Sequence, residues 1–464
     1  MLRLLKQYFP IRNIIFFILE GFIIFGSVLL ATVLLTFSNS YLYDVLLVLR
    51  ILLITLVCQI CLYYNDLYDF DVSSTFTETG IRLLQALGIT SIALAFIYFF
   101  FPIAIIDQKI FILSIGFLLI FIIGWRLLYI QVLNKGLFNE HIIILGSSSL
   151  ASDIYKEIAG TIDCGYTVSV MIPDSEDEDY PMDLPDHVMV RKEKKELCRI
   201  ASEMGTQKVV VALKERRGAF PTDELIRCRT AGIEVIEGSS FYEMLTGKVL
   251  VTKINPSWLI FSEGFRKSRT QAFFKRIEDI VLSSIMLLLF SPLFLVVAIL
   301  IKMDSRGSVF FSQDRVGLHQ KEYMMHKFRS MRTDAEKLTG PVWAQNNDTR
   351  ITRVGRIIRK FRIDELPQLW EVFTGKMSLV GPRPERKHFT DELENQIPFY
   401  AQRFNVKPGL TGWAQVCYDY GATLEDAIEK LNYELFYIKN MSLAMDMIII
   451  LRTVKTVLFG RGAR

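Results

Sequence analysis

Four apolar runs, each close to the ~20 residues an α-helix needs to cross a bilayer, fill most of residues 1–135 and constrain everything that follows. They cover residues 14–35, 45–64, 83–106 and 110–130. Backbone in lipid must satisfy its own hydrogen bonds, so these runs predict a four-helix transmembrane domain over residues 1–135. Glu20 lies inside the first run and Arg50 inside the second. A lone charge at that depth is costly, and the two are expected to pair between helices. Basic residues set the orientation. Arg3, Lys6 and Arg12 precede the first run, Arg82 ends the second loop, and Arg126 and Lys135 close the fourth run. Lys109 is the one dissenting charge. The positive-inside rule therefore puts the N-terminus and everything after Lys135 in the cytoplasm. The first run is too long for a cleavable signal peptide and lacks a small-residue cleavage site.

The chain has 464 residues, 51% of them hydrophobic, which is too apolar for an ordinary soluble protein and too long for a helical bundle alone. Sizeable polar domains must follow the spans. The net charge of +4 is small and dispersed, which excludes nucleic acid as a partner. None of the six Cys has the spacing of a four-ligand zinc site, and Cys58 and Cys61, a CxxC inside an apolar run, read as packing residues. Scattered free thiols suit a reducing compartment.

After residue 135 short apolar stretches alternate with polar helical ones. Strands are predicted at 141–146, 166–172, 188–190, 208–211 and 233–236, which makes residues 136–265 a parallel, Rossmann-like α/β domain. Its nucleotide fingerprint is degenerate. Gly146 keeps the first position of G-x-G-x-x-G, Ser148 and Ala151 take the other two, and Asp174 stands where a ribose-binding acid could lie. Ser148 would hinder close approach to a pyrophosphate, so a structural or regulatory module is favoured over NAD chemistry. Residues 174–180 form an acidic, solvated loop.

A further apolar run, 280–301, is preceded by Lys275 and Arg276 and followed by Lys302 and Arg306, with Ser291 and Pro292 near its middle. Proline removes a helix hydrogen bond. Cations at both ends favour a helix–break–helix over 277–301 that enters one leaflet and returns. A proline-kinked fifth span would instead carry the C-terminal domain outside the cell.

Residues 306–464 carry the chemistry. The pair Asp364-Glu365 sits in Arg362-Ile-Asp-Glu-Leu-Pro-Gln-Leu-Trp370, with a proline suited to a first helical turn. On position alone Asp364 could be an N-cap and Glu365 a solvated acid. Cations crowd the surrounding sequence: His326-Lys327-Phe-Arg329-Ser-Met331-Arg332, then Arg350 to Arg362 with Arg356, Arg359 and Lys360 at helical spacing, then Gly381-Pro-Arg383-Pro384. Arginines and lysines around two carboxylates point to a polyanionic, phosphate-bearing substrate. Part of the 353–360 face could equally rest on anionic lipid headgroups.

Residues 270–464 resemble the catalytic domain of the bacterial sugar transferases, monotopic phosphoglycosyl transferases acting on polyprenyl phosphate. The resemblance rests on Lys275-Arg276, Ser291-Pro292, the His326–Met331 motif, Asp364-Glu365-Leu-Pro-Gln, Ser378-Leu-Val-Gly-Pro-Arg383-Pro384 and Pro408-Gly-Leu-Thr-Gly-Trp-Ala-Gln415. With four spans and an α/β insert, the chain looks like the large form, and its tail, from Tyr418-Asp-Tyr-Gly-Ala422 onward, like an exopolysaccharide branch. The resemblance implies a mainly α catalytic domain at the bacterial inner membrane, facing the cytoplasm, with membrane lipid around a re-entrant helix broken at Ser291 and Pro292. It implies transfer of a hexose-1-phosphate from a UDP-sugar to undecaprenyl phosphate, with release of UMP. Asp364 would be the nucleophile and Glu365 a Mg²⁺ ligand, with Asp364 also near the metal. Lys327, Arg329, Arg359, Arg383 and Pro384 would bind substrate. A homodimer is compatible with the family. Two competing readings are a glycosyltransferase that releases UDP and a non-enzymatic membrane sensor or scaffold.

Overall fold

The computed structural model describes residues 2–4, 7–9, 11–36, 45–68, 76–134, 139–161, 164–174, 188–190, 196–214, 220–253, 264–265, 267–332, 350–418, 421 and 423–458. Lys6, Lys135, most of the acidic loop (175–180), part of the stretch 418–422 and the tail from 459 lie outside the described residues. The chain divides into two units at Phe241/Tyr242.

The first unit begins with helices α1 (Ile11–Thr36), α2 (Val45–Tyr64), α3 (Phe76–Phe100) and α4 (Gln108–Asn134), all long and apolar enough to cross a membrane. They fit a membrane-anchored helical region. The third run ends at Phe100 instead of 106 because Pro102 disfavours helix in the residue before it and opens a separate 3-10 turn, Pro102–Ala104. The expected Glu20–Arg50 pair is not formed. Glu20, fully buried, takes Arg126 Nη2 at 2.7 Å, and Arg126 also donates to the Leu67 carbonyl. Arg50 instead donates to the Ile103 carbonyl at 2.8 Å. Depth explains the choice. In spans of alternating direction, at 1.5 Å per residue, Glu20 lies about 14 Å and Arg126 about 12 Å from the same end of the bundle, while Arg50 lies about 21 Å from it.

A five-stranded parallel sheet follows, built from β1 (Glu140–Leu145), β2 (Tyr166–Ile172), β3 (Met189–Val190), β4 (Lys208–Val211) and β5 (Glu234–Glu237) in the order β3-β2-β1-β4-β5. Helices α5 (Ser149–Gly160), α6 (Leu197–Glu203) and α7 (Thr222–Thr230) connect it, and Ile143, Leu145, Val170, Ile172 and Val209 form its core. Gly146 is required at the turn after β1: its φ is 126° and a Cβ there would meet the Ala212 carbonyl at 2.1 Å. Ser148 caps α5 and donates to that same carbonyl. The Asp174 carboxylate accepts from the Ser147 N–H and hydroxyl and from the Lys214 N–H, so here it staples two loops.

The domain boundary expected near 265 falls between Phe241 and Tyr242, within α8 (Gly238–Thr246). Val249 and Val251 are buried in the second unit's core with Trp413 and Phe436, and the Trp413 indole donates to the Gly247 carbonyl at 2.8 Å. Burial of those two valines places the boundary where it is.

The second unit is mainly helical. It comprises α9 (Arg269–Asp304), the antiparallel hairpin β6 (Phe310–Val316) and β7 (Glu322–Phe328), α10 (Arg353–Lys360), a 3-10 helix (Ile363–Gln368), α11 (Leu369–Thr374), β8 (Ser378–Val380), α12 (Lys387–Gln396), β9 (Gly409–Thr411), α13 (Trp413–Cys417), α14 (Leu424–Asn440) and α15 (Leu443–Leu458). β8 and β9 pair in parallel. α9 starts from a Ser268/Gln271 capping box and contains Pro292. The expected break is instead one uninterrupted helix. Pro292 cannot donate to the Leu288 carbonyl four residues back, and the Ser291 hydroxyl does so at 2.8 Å. Both ends of α9 are anchored to the same unit. Near its start Lys275 pairs with Asp446 at 2.7 Å, Arg276 donates to the Val372 and Phe373 carbonyls, and Asp279 accepts from the Ser378 hydroxyl and the Leu379 N–H. Near its end Val297 and Ile301 pack on Phe328 and Ile358.

Candidate active site

Three segments converge on Asp364 and Glu365. The first is β7, where successive side chains point to opposite faces. Phe328 enters the core with Val297, Ile301 and Ile358, and Lys327 turns to Glu365 Oε1 at 2.9 Å. The second is the turn after α10. Thr352 caps that helix, and Gly355 lets it approach β7, since a Cβ would meet the Ser330 carbonyl at 2.0 Å. Arg362 then adopts φ 55°, a strained left-handed conformation for a non-glycine residue. It reverses the chain into the 3-10 helix, and its guanidinium reaches Glu365 Oε2 at 3.4 Å. Residue 362, and not Asp364, therefore occupies the N-cap position. The third is the Gly381–Pro384 turn. Gly381 packs against the Lys407 carbonyl, where a Cβ would come within 2.4 Å, and Arg383 donates to Glu365 Oε1 at 2.9 Å. Arg315 donates to the Pro384 carbonyl at 3.1 Å, so Pro384 shapes the turn.

The two neighbouring carboxylates have opposite surroundings. Glu365 is 8% exposed and takes three cations. Burial opposes its ionisation, but the charges of Lys327, Arg383 and Arg362 outweigh that and hold its carboxyl well below the usual range. Asp364 is half-buried and accepts no hydrogen bond among the described residues. Burial and the charge of Glu365 push its carboxyl up to about 6, against the pull of Lys327, Arg359 and Arg362. Burial also lowers the Lys327 ammonium, with Glu365 opposing. Four cations thus face two carboxylates, and the surplus positive charge suits a polyanion.

Arg329 does not join them. It is 5% exposed and donates to the carbonyls of Ser305 and Arg306 at 2.7 and 2.9 Å, capping the C-terminal end of α9. The expectation that it binds substrate is corrected: its guanidinium is spent on the carbonyls of the turn that follows α9.

The bacterial sugar transferase family matches residues 270–460. A Rhizobium leguminosarum bv. phaseoli protein described as exopolysaccharide production protein PSS is 43% identical over 194 residues, 40% of this chain and 97% of its own. This chain belongs to the bacterial sugar transferase family. An Aeromonas hydrophila relative described as UDP-N-acetylgalactosamine-undecaprenyl-phosphate N-acetylgalactosaminephosphotransferase is 45% identical over 240 residues, 52% of this chain and 56% of its own. A Xanthomonas campestris pv. campestris relative described as UDP-glucose:undecaprenyl-phosphate glucose-1-phosphate transferase is 45% identical over 191 residues, 41% of this chain and 40% of its own. The chain thus spans about half or less of the length of these last two relatives.

In this family member several site residues carry no role from sequence reading. Arg362 was visible as a flanking cation, but its backbone reversal was not. Arg403 forms a buried two-pronged ion pair with Glu434, at 2.9 and 2.8 Å, and donates to the Arg383 carbonyl at 2.8 Å. Glu371, 1% exposed, receives the His326 imidazole, tying β7 to α11. Neither pairing has a local spacing signal, because the partners are 31 and 45 residues apart.

Proposed function

We propose that the protein transfers a hexose-1-phosphate from a UDP-sugar to undecaprenyl phosphate, starting a polysaccharide repeat unit. The observation that carries this reading is the lone Asp364 carboxylate, free of hydrogen bonds among the described residues, beside a Glu365 already held by three cations. A free, desolvated carboxylate is the more basic and more nucleophilic of the two. An Asp364 oxygen attacks the sugar-linked phosphorus. The bond from that phosphorus to the bridging oxygen breaks, and its electrons leave with UMP. An oxygen of the lipid phosphate then attacks the same phosphorus and releases Asp364. Lys327, Arg359, Arg362 and Arg383 surround the place where phosphoryl charge shifts. Two steps at one carboxylate avoid bringing two anionic substrates together directly.

No group of three His, Cys, Asp or Glu that could hold a metal occurs among the described residues. The free Asp364 carboxylate and Glu365 Oε2, with its one long contact, fit Mg²⁺, which takes one or two carboxylates and completes its shell with phosphate and water. Mg²⁺ held there by Glu365 and Asp364 would neutralise charge on the diphosphate.

Re-entry of α9 is part of the proposal. A span would put its ends on opposite sides of a bilayer, yet Lys275 and Ile301 both bind the same unit. A bend at Pro292, where one backbone hydrogen bond is missing, would let both ends leave through one leaflet, with the site at the cytoplasmic headgroups, where UDP-sugars are available. The test is incubation of purified protein with UDP-sugars labelled at the β-phosphate. Label should stay on the protein, leave on addition of lipid phosphate, and be absent from Asp364→Asn. Release of UDP in place of UMP, or turnover by Asp364→Asn, would overturn the reading.

A further inference from the structure

Two free thiols of the α/β domain are brought together by helices α6 and α7. Cys198 stands in the first turn of α6 and Cys228 in the last turn of α7. Glu224 and Cys228, one helical turn apart, share the face of α7 that meets α6. The Cys198 N–H approaches Glu224 Oε2 at 3.4 Å, and the Cys228 thiol lies within hydrogen-bonding reach of the Cys198 thiol. Cys228 is fully buried in the core with Leu197, Ile200 and Leu225, while Cys198 packs at the margin of that core and is half-buried. One thiol residue is therefore within reach of small solutes, and the other lies behind it. Burial, Cys198 and the charge of Glu224 push the Cys228 thiol up to about 12, so it stays protonated and unreactive on its own. Arg227 offsets the Glu224 charge at 2.8 Å. The domain's third cysteine, Cys164, is occupied differently: it is buried and donates to the Ile158 and Tyr166 carbonyls.

We infer that Cys198 and Cys228 are a redox modification site, closing to a reversible disulfide when the α/β domain meets a peroxide. The Cys198 thiolate attacks one peroxide oxygen, the O–O bond breaks, and the departing hydroxide takes up a proton as water. Cys198 is then a sulfenic acid, its sulfur oxidised by two electrons and the peroxide reduced by two. The Cys228 sulfur attacks the Cys198 sulfur, the S–OH bond breaks, and the departing hydroxide removes the Cys228 proton as a second water. A resolving thiol held behind the first one intercepts the sulfenic acid before further oxidation to the sulfinic state. A cellular dithiol returns both sulfurs to thiols by exchange. In a reducing compartment such a bond is a transient signal and not a permanent staple. The inference is independent of the transfer reaction, and its readout does not depend on activity.

The test treats the full chain in detergent with hydrogen peroxide, then with N-ethylmaleimide, and maps the peptides by mass spectrometry without reduction. A peptide linking Cys198 to Cys228 within one chain should appear, and alkylation of Cys198 should fall about tenfold. Dithiothreitol should restore that alkylation. In Cys228→Ser the sulfenic acid should persist and be trapped by dimedone at Cys198, whereas Cys198→Ser should leave Cys228 unoxidised. The wild-type result decides the matter even where a variant fails to fold. Alkylation of both thiols after peroxide would overturn the inference. So would sulfinic acid at Cys198 of the wild type without the linked peptide, or a link that joins two chains.

Discussion

Asp364 and Glu365 are adjacent, yet their neutral replacements should move stability in opposite directions. At pH 7.5 the folded Asp364 carboxylate is ionised against burial and the charge of Glu365, and its carboxyl lies near 6 against an ordinary 3.8. At about 1.4 kcal/mol per pKa unit this is ~3 kcal/mol of destabilisation, which partial solvent contact reduces to about 1–2 kcal/mol. Asp364→Asn removes it, so apparent Tm should rise by about 2–8 °C for a unit of this size. Glu365→Gln leaves Lys327 and Arg383 facing a neutral amide and should cost about 3 kcal/mol. The sign with pH follows from proton binding. Between roughly pH 4 and 6 the folded state holds a proton on Asp364 that the unfolded state lacks. The penalty is therefore complete above pH 6, is relieved as pH falls through it, and is gone near 4. Differential scanning fluorimetry of the detergent-purified wild type and both variants, from pH 5 to 8, measures this. A lower Tm for Asp364→Asn at pH 7.5, or a gap that does not shrink toward pH 5, would refute the assignment of strain to Asp364.

Ser291→Ala leaves the Leu288 carbonyl orphaned and should cost about 1–3 kcal/mol, but almost nothing in a Pro292→Ala background, where the backbone N–H returns; thermal stability across the double-mutant cycle reads this coupling. Glu434→Gln breaks the buried pair with Arg403 that holds the Arg383 carbonyl, and should lower stability by about 3 kcal/mol and raise KM for the nucleotide donor. Gly355→Ala drives a methyl into the Ser330 carbonyl, and should reduce transfer at least tenfold by displacing α10, with a matching loss of Tm.

The elements of this chain were far more legible than its pairings. Residues 45–64, 166–172 and 208–211 were bounded correctly from apolar runs alone, because lipid and a buried parallel sheet both demand near-continuous hydrophobicity. Glu20 pairs with Arg126 and not Arg50 because the two share a depth; counting residues from one end of the bundle selects Arg126. Arg329 shares a motif with Lys327 two residues away, yet one caps a helix and the other meets a carboxylate. Nothing in the motif separates them, since the deciding partners are main-chain carbonyls more than twenty residues upstream. The break expected from the flanking cations and the missing Pro292 donor is bridged by the Ser291 hydroxyl, which takes the place of that donor.

What distinguishes the site is how one backbone reversal assigns unequal roles to two like residues. Left-handed geometry at Arg362 costs of order 1 kcal/mol or more, and it persists where surrounding contacts over-determine it. Here the Thr352 cap, the Gly355 approach to Ser330 and the Arg362 guanidinium on Glu365 supply those contacts. The reversal opens a 3-10 helix in which consecutive side chains diverge by about 120°. Glu365 is therefore turned into the cations while Asp364 is kept out of their direct reach. Were the two interchangeable, both would be held by the cations and neither would be left free to attack. The strain at Arg362 is thus coupled to the one carboxylate left free, and relaxing it, by Arg362→Gly, should cost activity more than stability.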